Sequence, residues 1–292
     1  MKMIHRLFKW LCIAMGGGAL LYMGWLLMRA FLVDQFIIPT ESMEPTLMPG
    51  DRVIVNKAIM GARIYSDFHF NQEGIELKSW RTRGLRRLQH NDIVVFNFPK
   101  HDDKINFVIN HVYAKRCVAL PGDTISIVNG RYVNNNYEGT LGLESEQTRL
   151  ANISDSIIDP SVLYTFPYDA QPLSPLPPWG GGPRYCWTIK EMGPLYVPRK
   201  GDRIWITPKE ANLYRLILEW ETGKEMPSDT IAYHTFQHNY YYLCGDNVLN
   251  SCDARYWGFV PEEYIVGIVT HITYSINSYT GKRRKERTLK HV

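Results

Sequence analysis

The hydrophobic and polar positions of this chain fall into one long apolar run followed by many short alternating ones. Residues 10–28 carry no charged side chain, and the run fades near Val33, beyond Arg29. At 1.5 Å rise per residue these nineteen positions predict about 28 Å of helix, close to the hydrocarbon thickness of a bilayer. The run is too long for the apolar part of a cleaved signal peptide, and no small-residue cleavage site follows it cleanly, which favours a retained anchor. Lys2, Arg6 and Lys9 precede it, so the positive-inside rule puts the N-terminus in the cytoplasm and the rest of the chain outside.

Beyond the anchor the pattern is that of strands. Residues 52–56, 92–98, 124–128, 202–206, 240–243 and 265–269 are short, β-branched and aromatic. Pro49-Gly50-Asp51, Pro121-Gly122-Asp123 and Lys200-Gly201-Asp202 precede three of them; glycine frees the turn and the aspartate can close it. Asn129-Gly130 reads as a hairpin turn into residues 131–133. So many short strands predict a mainly β fold, a barrel or sandwich-like domain behind a transmembrane helix. Residues 137–200 are dense in Ser, Pro and Gly, above all at 173–183, and read as a long loop or part of a second lobe. One soluble helix is predicted over 208–222, opening at Pro208 with Leu213, Leu216, Ile217 and Trp220 on one face. Residues 60–90, with Arg81, Arg83, Arg86 and Arg87 near Trp80, read as a solvated charged face or a membrane-facing loop.

Composition narrows the function. Hydrophobic residues at 45% and aromatics at 13% exclude a disordered protein. The net charge of +4 is unevenly placed: residues 282–292 hold six basic side chains and one acidic, so the other 281 residues carry −1. That balance argues against nucleic-acid binding and leaves the basic tail as either a membrane-surface contact or a solvated end. Of five cysteines, Cys12 lies in the apolar run; Cys117, Cys186, Cys244 and Cys252 form no C-x-x-C, so zinc and redox motifs are poor readings. Cys244 and Cys252 flank one loop, either as a disulfide or as buried thiols. No metal or cofactor is implied.

Candidate chemistry centres on a serine between prolines, in Pro39-Thr40-Glu41-Ser42-Met43-Glu44-Pro45-Thr46-Leu47. At ~3.3 Å per residue the fourteen residues from Met28 reach at most about 46 Å, so Ser42 stays near the bilayer. A serine hydroxyl needs a base, and Lys115 is the candidate. On a strand it shares a face with Tyr113, Cys117 and Ala119, where burial would disfavour its ammonium form. A snorkelling lysine at a sheet edge is the bland alternative. A third segment, from Gly245-Asp246-Asn247 through Ser251-Cys252-Asp253-Ala254-Arg255, supplies a hydroxyl beside an Asp/Arg pair.

Together with Gly50-Asp51, residues 92–96, Tyr113-Ala114-Lys115-Arg116, Leu120-Pro121-Gly122-Asp123 and residues 245–261, these segments resemble bacterial type I signal peptidases, in the family's order. The resemblance implies a serine endopeptidase with no cofactor, acting on the signal peptides of exported preproteins. It implies a single-pass protein of the inner (plasma) membrane, with its catalytic domain on the periplasmic side. Ser42 would be the nucleophile and Lys115 the general base. Thr40 and the Ser42 N–H would form the oxyanion hole, Ser251 would orient Lys115, and Asp253 with Arg255 would brace the site, supported by Gly245, Asp246 and Asn247. Ile38, Met43, Leu47, Tyr113 and Ala114 would line pockets for small side chains. The expected organisation is an anchor at 1–33, a catalytic β-domain from 34–136 and 241–281, an inserted β-rich variable lobe at 137–240, and a basic tail at 282–292. Val248 departs from the family's usual arginine after Gly-Asp-Asn. Two rivals are a Ser-His-Asp hydrolase using His111, for which no Gly-x-Ser-x-Gly elbow exists, and a non-enzymatic membrane-anchored binding domain.

Overall fold

The computed structural model describes residues 2–66, 79–101, 103–109, 111–165 and 187–292. Cys186, the cluster at 173–183 and part of the 60–90 stretch lie outside them. Helix α1 (Lys2–Phe31) leaves apolar side chains such as Leu20 and Leu21, 75% and 78% exposed, uncovered by the rest of the protein. By length and composition its part from His5 to Phe31 is the one helix among the described residues able to cross a membrane. A helix apolar all round and uncovered by protein is stable where lipid covers it.

The strands that position the site are β1 (Val33–Ile37), β2 (Asp51–Asn56), β3 (Ile93–Asn97), β4 (Val112–Ala119), β5 (Thr124–Val128), β6 (Arg131–Asn134), β7 (Met192–Tyr196), β8 (Arg203–Ile206), β9 (Ala232–Thr235), β10 (Tyr240–Cys244), β11 (Val260–Pro261), β12 (Ile265–Ser275) and β13 (Lys290–His291). The main antiparallel sheet runs β1-β2-β12-β3-β4-β10-β11, with β13 added to β12. Register shifts interrupt the pairing of β12 with both β2 and β3. Such bulges bend a strand and raise its twist, which lets the long β12 curl the sheet into a half-barrel. Central strand β3 is buried at all five positions, as a strand covered on both faces must be. Ile93 and Val95 enter one core cluster with Met43, Leu47 and Val53; Val94 and Phe96 enter the other with Tyr242 and Phe259.

The three glycine-aspartate turns close alike. Asp51, Asp123 and Asp202 accept from the backbone N–H three residues earlier, at Met48 (2.8 Å), Leu120 (2.8 Å) and Arg199 (3.0 Å). Gly50, Gly122 and Gly201 sit at φ near +90°, which a side chain would strain. The hairpin at 129–130 pairs Val128 with Arg131, and β5 pairs with β7 on its other side. This second sheet, β6-β5-β7, therefore joins strands from both sides of the 136/137 boundary.

Residues 137–200 contain a helix the prolines and glycines concealed, α2 (Glu144–Asn152), which turns Gln147 and Leu150 inward. Gln147 Oε1 accepts from Tyr132 N–H at 2.9 Å, tying α2 to β6. Helix α3 (Pro208–Thr222) occupies the predicted range because both ends are encoded: Thr207 and Glu210 form a capping box, and Gly223 takes the left-handed C-cap. Its inner face, Leu213, Leu216 and Ile217, joins the same core as Phe96, so the lobe and the main sheet share one interior.

Residues 282–292 are built into the fold in part, while Lys282, Arg283, Lys285 and Lys290 stay exposed. Arg287 is 8% exposed, and β13 extends the main sheet. The buried carboxylate of Asp51 draws the arginine in. Cys244 is a buried free thiol in β10 and Cys252 an exposed one, so no disulfide joins them; Cys117 is also a buried free thiol.

Candidate active site

The loop carrying Ser42 leaves the sheet after β1 and returns at β2. Its ends are pinned together by Ile38 N–H to the Asp51 carbonyl and Gly50 N–H to the Ile38 carbonyl, both 2.8 Å. Met43 and Leu47, 1% and 0% exposed, fasten it from below into the core. Above, Asn247 N–H donates to the Ser42 carbonyl at 3.1 Å and Asn247 Nδ2 to the Glu41 carbonyl at 3.2 Å. Thr46 Oγ1 donates to Asp246 at 2.5 Å, and Asp246 also receives Arg116 Nε and Nη2, each at 2.6 Å. Arg116 follows Lys115 on β4, so one carboxylate ties the serine's loop to the lysine's strand. Arg116 and Thr46 escaped the sequence reading, although Arg116 sits in the quoted motif and its partner Asp246 was singled out.

Lys115 lies opposite Val94 on β3 and is 1% exposed, while Ser42 is only partly buried. Lys115 Nζ is hydrogen-bonded to Ser42 Oγ. Burial pushes the lysine below its ordinary pKa, and the negative charge of Asp253 opposes this only in part. Thr40 Oγ1 lies 3.4 Å from Ser42 Oγ. His111, the residue a triad would need, packs its ring tilted against Phe98 and Tyr113, with centroids 5.3 Å away in each case, whereas Ser42 Oγ is bonded to Lys115 and Thr40.

Ser251 stands differently from the simple orienting role. Its hydroxyl donates to Asp253 Oδ2 at 2.7 Å, so only its lone pairs remain for the lysine amine. Asp253 also accepts Gly245 N–H at 2.8 Å and the Arg255 fork at 2.8 and 2.6 Å. Burial alone would raise the Asp253 carboxyl, but Arg255 holds it below its ordinary value. Gly245 is wedged where a Cβ would meet Ser251 Oγ at 2.1 Å and the Ser42 carbonyl oxygen at 2.5 Å. A side chain can rotate away; a backbone carbonyl moves only by moving Ser42. Gly245→Ala is expected to lower kcat about a hundredfold, the cost of roughly 1 Å of misplacement. Parental kcat in a folded Gly245→Ala protein would show that the loop yields without shifting the serine.

Of the five expected pocket residues, Ile38, Met43 and Leu47 are buried in one core cluster, and Met43 and Leu47 support the loop from beneath. Ile38 is 5% exposed, and Tyr113 and Ala114 are half-buried at the surface. A cleft of about 360 Å³ opens where the end of α1 meets the sheet, lined by Arg29, Asp34, Gln35, Phe36, Lys57 and Val112 among others; Ser42 and Lys115 do not line it. Among the described residues, edge strand β1 pairs with β2 alone, and β4 pairs with β10 from Arg116 onward. Residues 112–115 thus keep backbone groups free on the side away from β3, and an extended peptide can pair with such groups.

A family model described as signal peptidase, peptidase S26, matches residues 7–274. Signal peptidase I of Buchnera aphidicola subsp. Baizongia pistaciae is 30% identical over 252 residues, covering 84% of this chain and 71% of that protein. Signal peptidase I of Buchnera aphidicola subsp. Schizaphis graminum is 29% identical over 267 residues, with 85% and 70% covered. For signal peptidase I of Aquifex aeolicus the values are 25% over 270 residues, with 86% and 79% covered. Since the match extends from the apolar helix into β12, this chain belongs to the signal peptidase family, peptidase S26.

Proposed function

We propose that this signal peptidase cuts N-terminal signal peptides from exported preproteins by a Ser42/Lys115 dyad, while held at the bilayer by α1. The hydrogen bond between the buried Lys115 amine and Ser42 Oγ is the observation that supports the dyad most directly. A neutral amine in that place takes the hydroxyl proton as Oγ attacks the scissile carbonyl. The oxyanion is met by Ser42 N–H and Thr40 Oγ1. The Lys115 ammonium then gives its proton to the departing amine, leaving an acyl-enzyme. Lys115, neutral again, deprotonates the water that releases the signal peptide. Asp253 and Arg255 fix the loop that carries Ser251, whose lone pairs orient the amine.

The substrate, in extended form, adds its backbone to the free edges of β1 and β4, and Ile38, Tyr113 and Ala114 favour a small residue before the cut. The basic residues ahead of α1 support an N-terminus in the cytoplasm and a catalytic region on the periplasmic side. The deciding experiment is cleavage of a model preprotein in detergent by the intact chain and by Ser42→Ala. Processing by Ser42→Ala would remove the dyad from consideration.

A pH dependence follows from the lowered lysine. Activity rises with pH through one ionisation below that of free lysine, because only the neutral amine accepts a proton. The stability consequence has the opposite sense to that of a paired lysine. Burying the amine costs nothing above the unfolded pKa, and the cost grows as pH falls from there towards the folded value, because the unfolded chain binds the extra proton. A kcat/KM profile rising only near the pKa of an exposed lysine would refute the depressed-pKa base.

A further inference from the structure

The segment following β12 is fastened to the loop that carries Ser42. Tyr279 O–H donates to Glu41 Oε1 at 2.6 Å. Arg284 Nη1 donates to the Pro49 carbonyl at 3.0 Å. Arg287 Nη2 donates to the Thr46 carbonyl at 2.7 Å and to Asp51 Oδ2 at 2.5 Å, and its Nε reaches both Asp51 oxygens at 3.2 Å. These contacts fall at the residue before the serine, midway along the loop, and where the loop rejoins β2. Arg287 and Asp51 are 8% and 0% exposed, so the pair is shielded from salt and solvent. A guanidinium fork shared between a carboxylate and a carbonyl of one loop sets that loop's shape, which a lysine's point charge cannot do. Asp246, Asn247 and Asn250 hold the loop from the other side, its ends are pinned at Ile38 and Gly50, and the strap adds the contacts at Glu41, Thr46 and Pro49. The segment lies past residue 274, where the family match ends.

We propose that residues 276–292 form a strap that keeps the Ser42 loop in reactive register, with Arg287 as its main positioning residue and Tyr279 as its second. The strap rests on the reading of Ser42 as nucleophile. Its task is to keep Ser42 Oγ within reach of the Lys115 amine and the scissile carbonyl, not to bind substrate. Loosening it should therefore act on kcat and leave KM alone.

The test uses the full chain in detergent, with preprotein cleavage and a thermal melt for Arg287→Ala, Arg287→Lys, Tyr279→Phe, Ser42→Ala and the surface control Lys290→Ala. Arg287→Ala should lose about 10–100-fold in kcat, with KM within about twofold of the parent. Arg287→Lys should recover part of that loss by keeping the charge against Asp51. Tyr279 is 78% exposed, so Tyr279→Phe should melt as the parent does yet lose about two- to fivefold in kcat, the worth of one exposed hydrogen bond. Lys290→Ala should match the parent. Parental kcat in a folded Arg287→Ala protein, or a loss confined to KM, overturns the strap. If Arg287→Ala does not fold, parental kcat in both Arg287→Lys and Tyr279→Phe overturns it. Cleavage by Ser42→Ala would instead overturn the dyad, so the two failures are told apart.

Discussion

Ser42→Ala and Lys115→Met should each abolish preprotein cleavage, by on the order of 10⁴–10⁶-fold, and the double variant should be no worse than either single. The hydroxyl and the amine act on one proton, so losing either removes the same step and the losses do not add. The two variants should differ in stability. Ser42 is partly exposed, and its change should leave the melting temperature nearly unmoved. Lys115 is 1% exposed and its amine is buried at a cost, so an apolar side chain of similar length should match or exceed the parent's melting temperature at neutral pH. An inactive but equally or more stable Lys115→Met protein is what a functional lysine predicts. Substantial turnover by that protein would remove Lys115 as the base, and marked destabilisation would mean that the lysine is held for structure.

The second large effect concerns the brace. Asp253 and Arg255 are 0% and 1% exposed, and the carboxylate gathers Gly245 N–H, Ser251 Oγ and the guanidinium. Asp253→Ala leaves a buried cation without its counter-charge and should destabilise the protein by about 3–5 kcal/mol. Denaturant unfolding of the detergent-solubilised protein measures this; a change below about 1 kcal/mol would show that the pair is dispensable. The milder Asp253→Asn should separate the electrostatic role from the structural one. Asp253 is the charge that most favours the Lys115 ammonium, so its neutralisation should lower the lysine's pKa further. The acid limb of the pH–rate profile should then move to lower pH, even as turnover falls from the disturbed loop. A limb moving to higher pH would show that Asp253 does not act on the lysine by its charge.

What the sequence determined was whatever a few neighbouring residues can decide. An uncharged run of membrane length needs no tertiary partner to be recognised, and neither do a period of two or a Gly-Asp turn. The capping box at Thr207 and Glu210 and the glycine at 223 fixed α3 to its last residue. The proximity of the candidate residues Ser42 and Lys115 was legible in another way, through the order of several motifs, because nothing local joins a serine to a lysine 73 positions away. Only the folded chain decided which way side chains of ambiguous chemistry turned. Met43 and Leu47 suit a substrate pocket or a core equally well, and the fold buries both beside Ile38 under the serine's loop. Ser251 can serve a lysine or a carboxylate, and the buried Asp253 claimed its proton. The basic residues past 281 look like a solvated tail because charge is usually solvated. Four of them, Lys282, Arg283, Lys285 and Lys290, are exposed, but the partner of Arg287 was set by sheet closure, which brings Asp51 beside it across 236 positions, where a buried carboxylate is more costly left alone than an arginine is to bury.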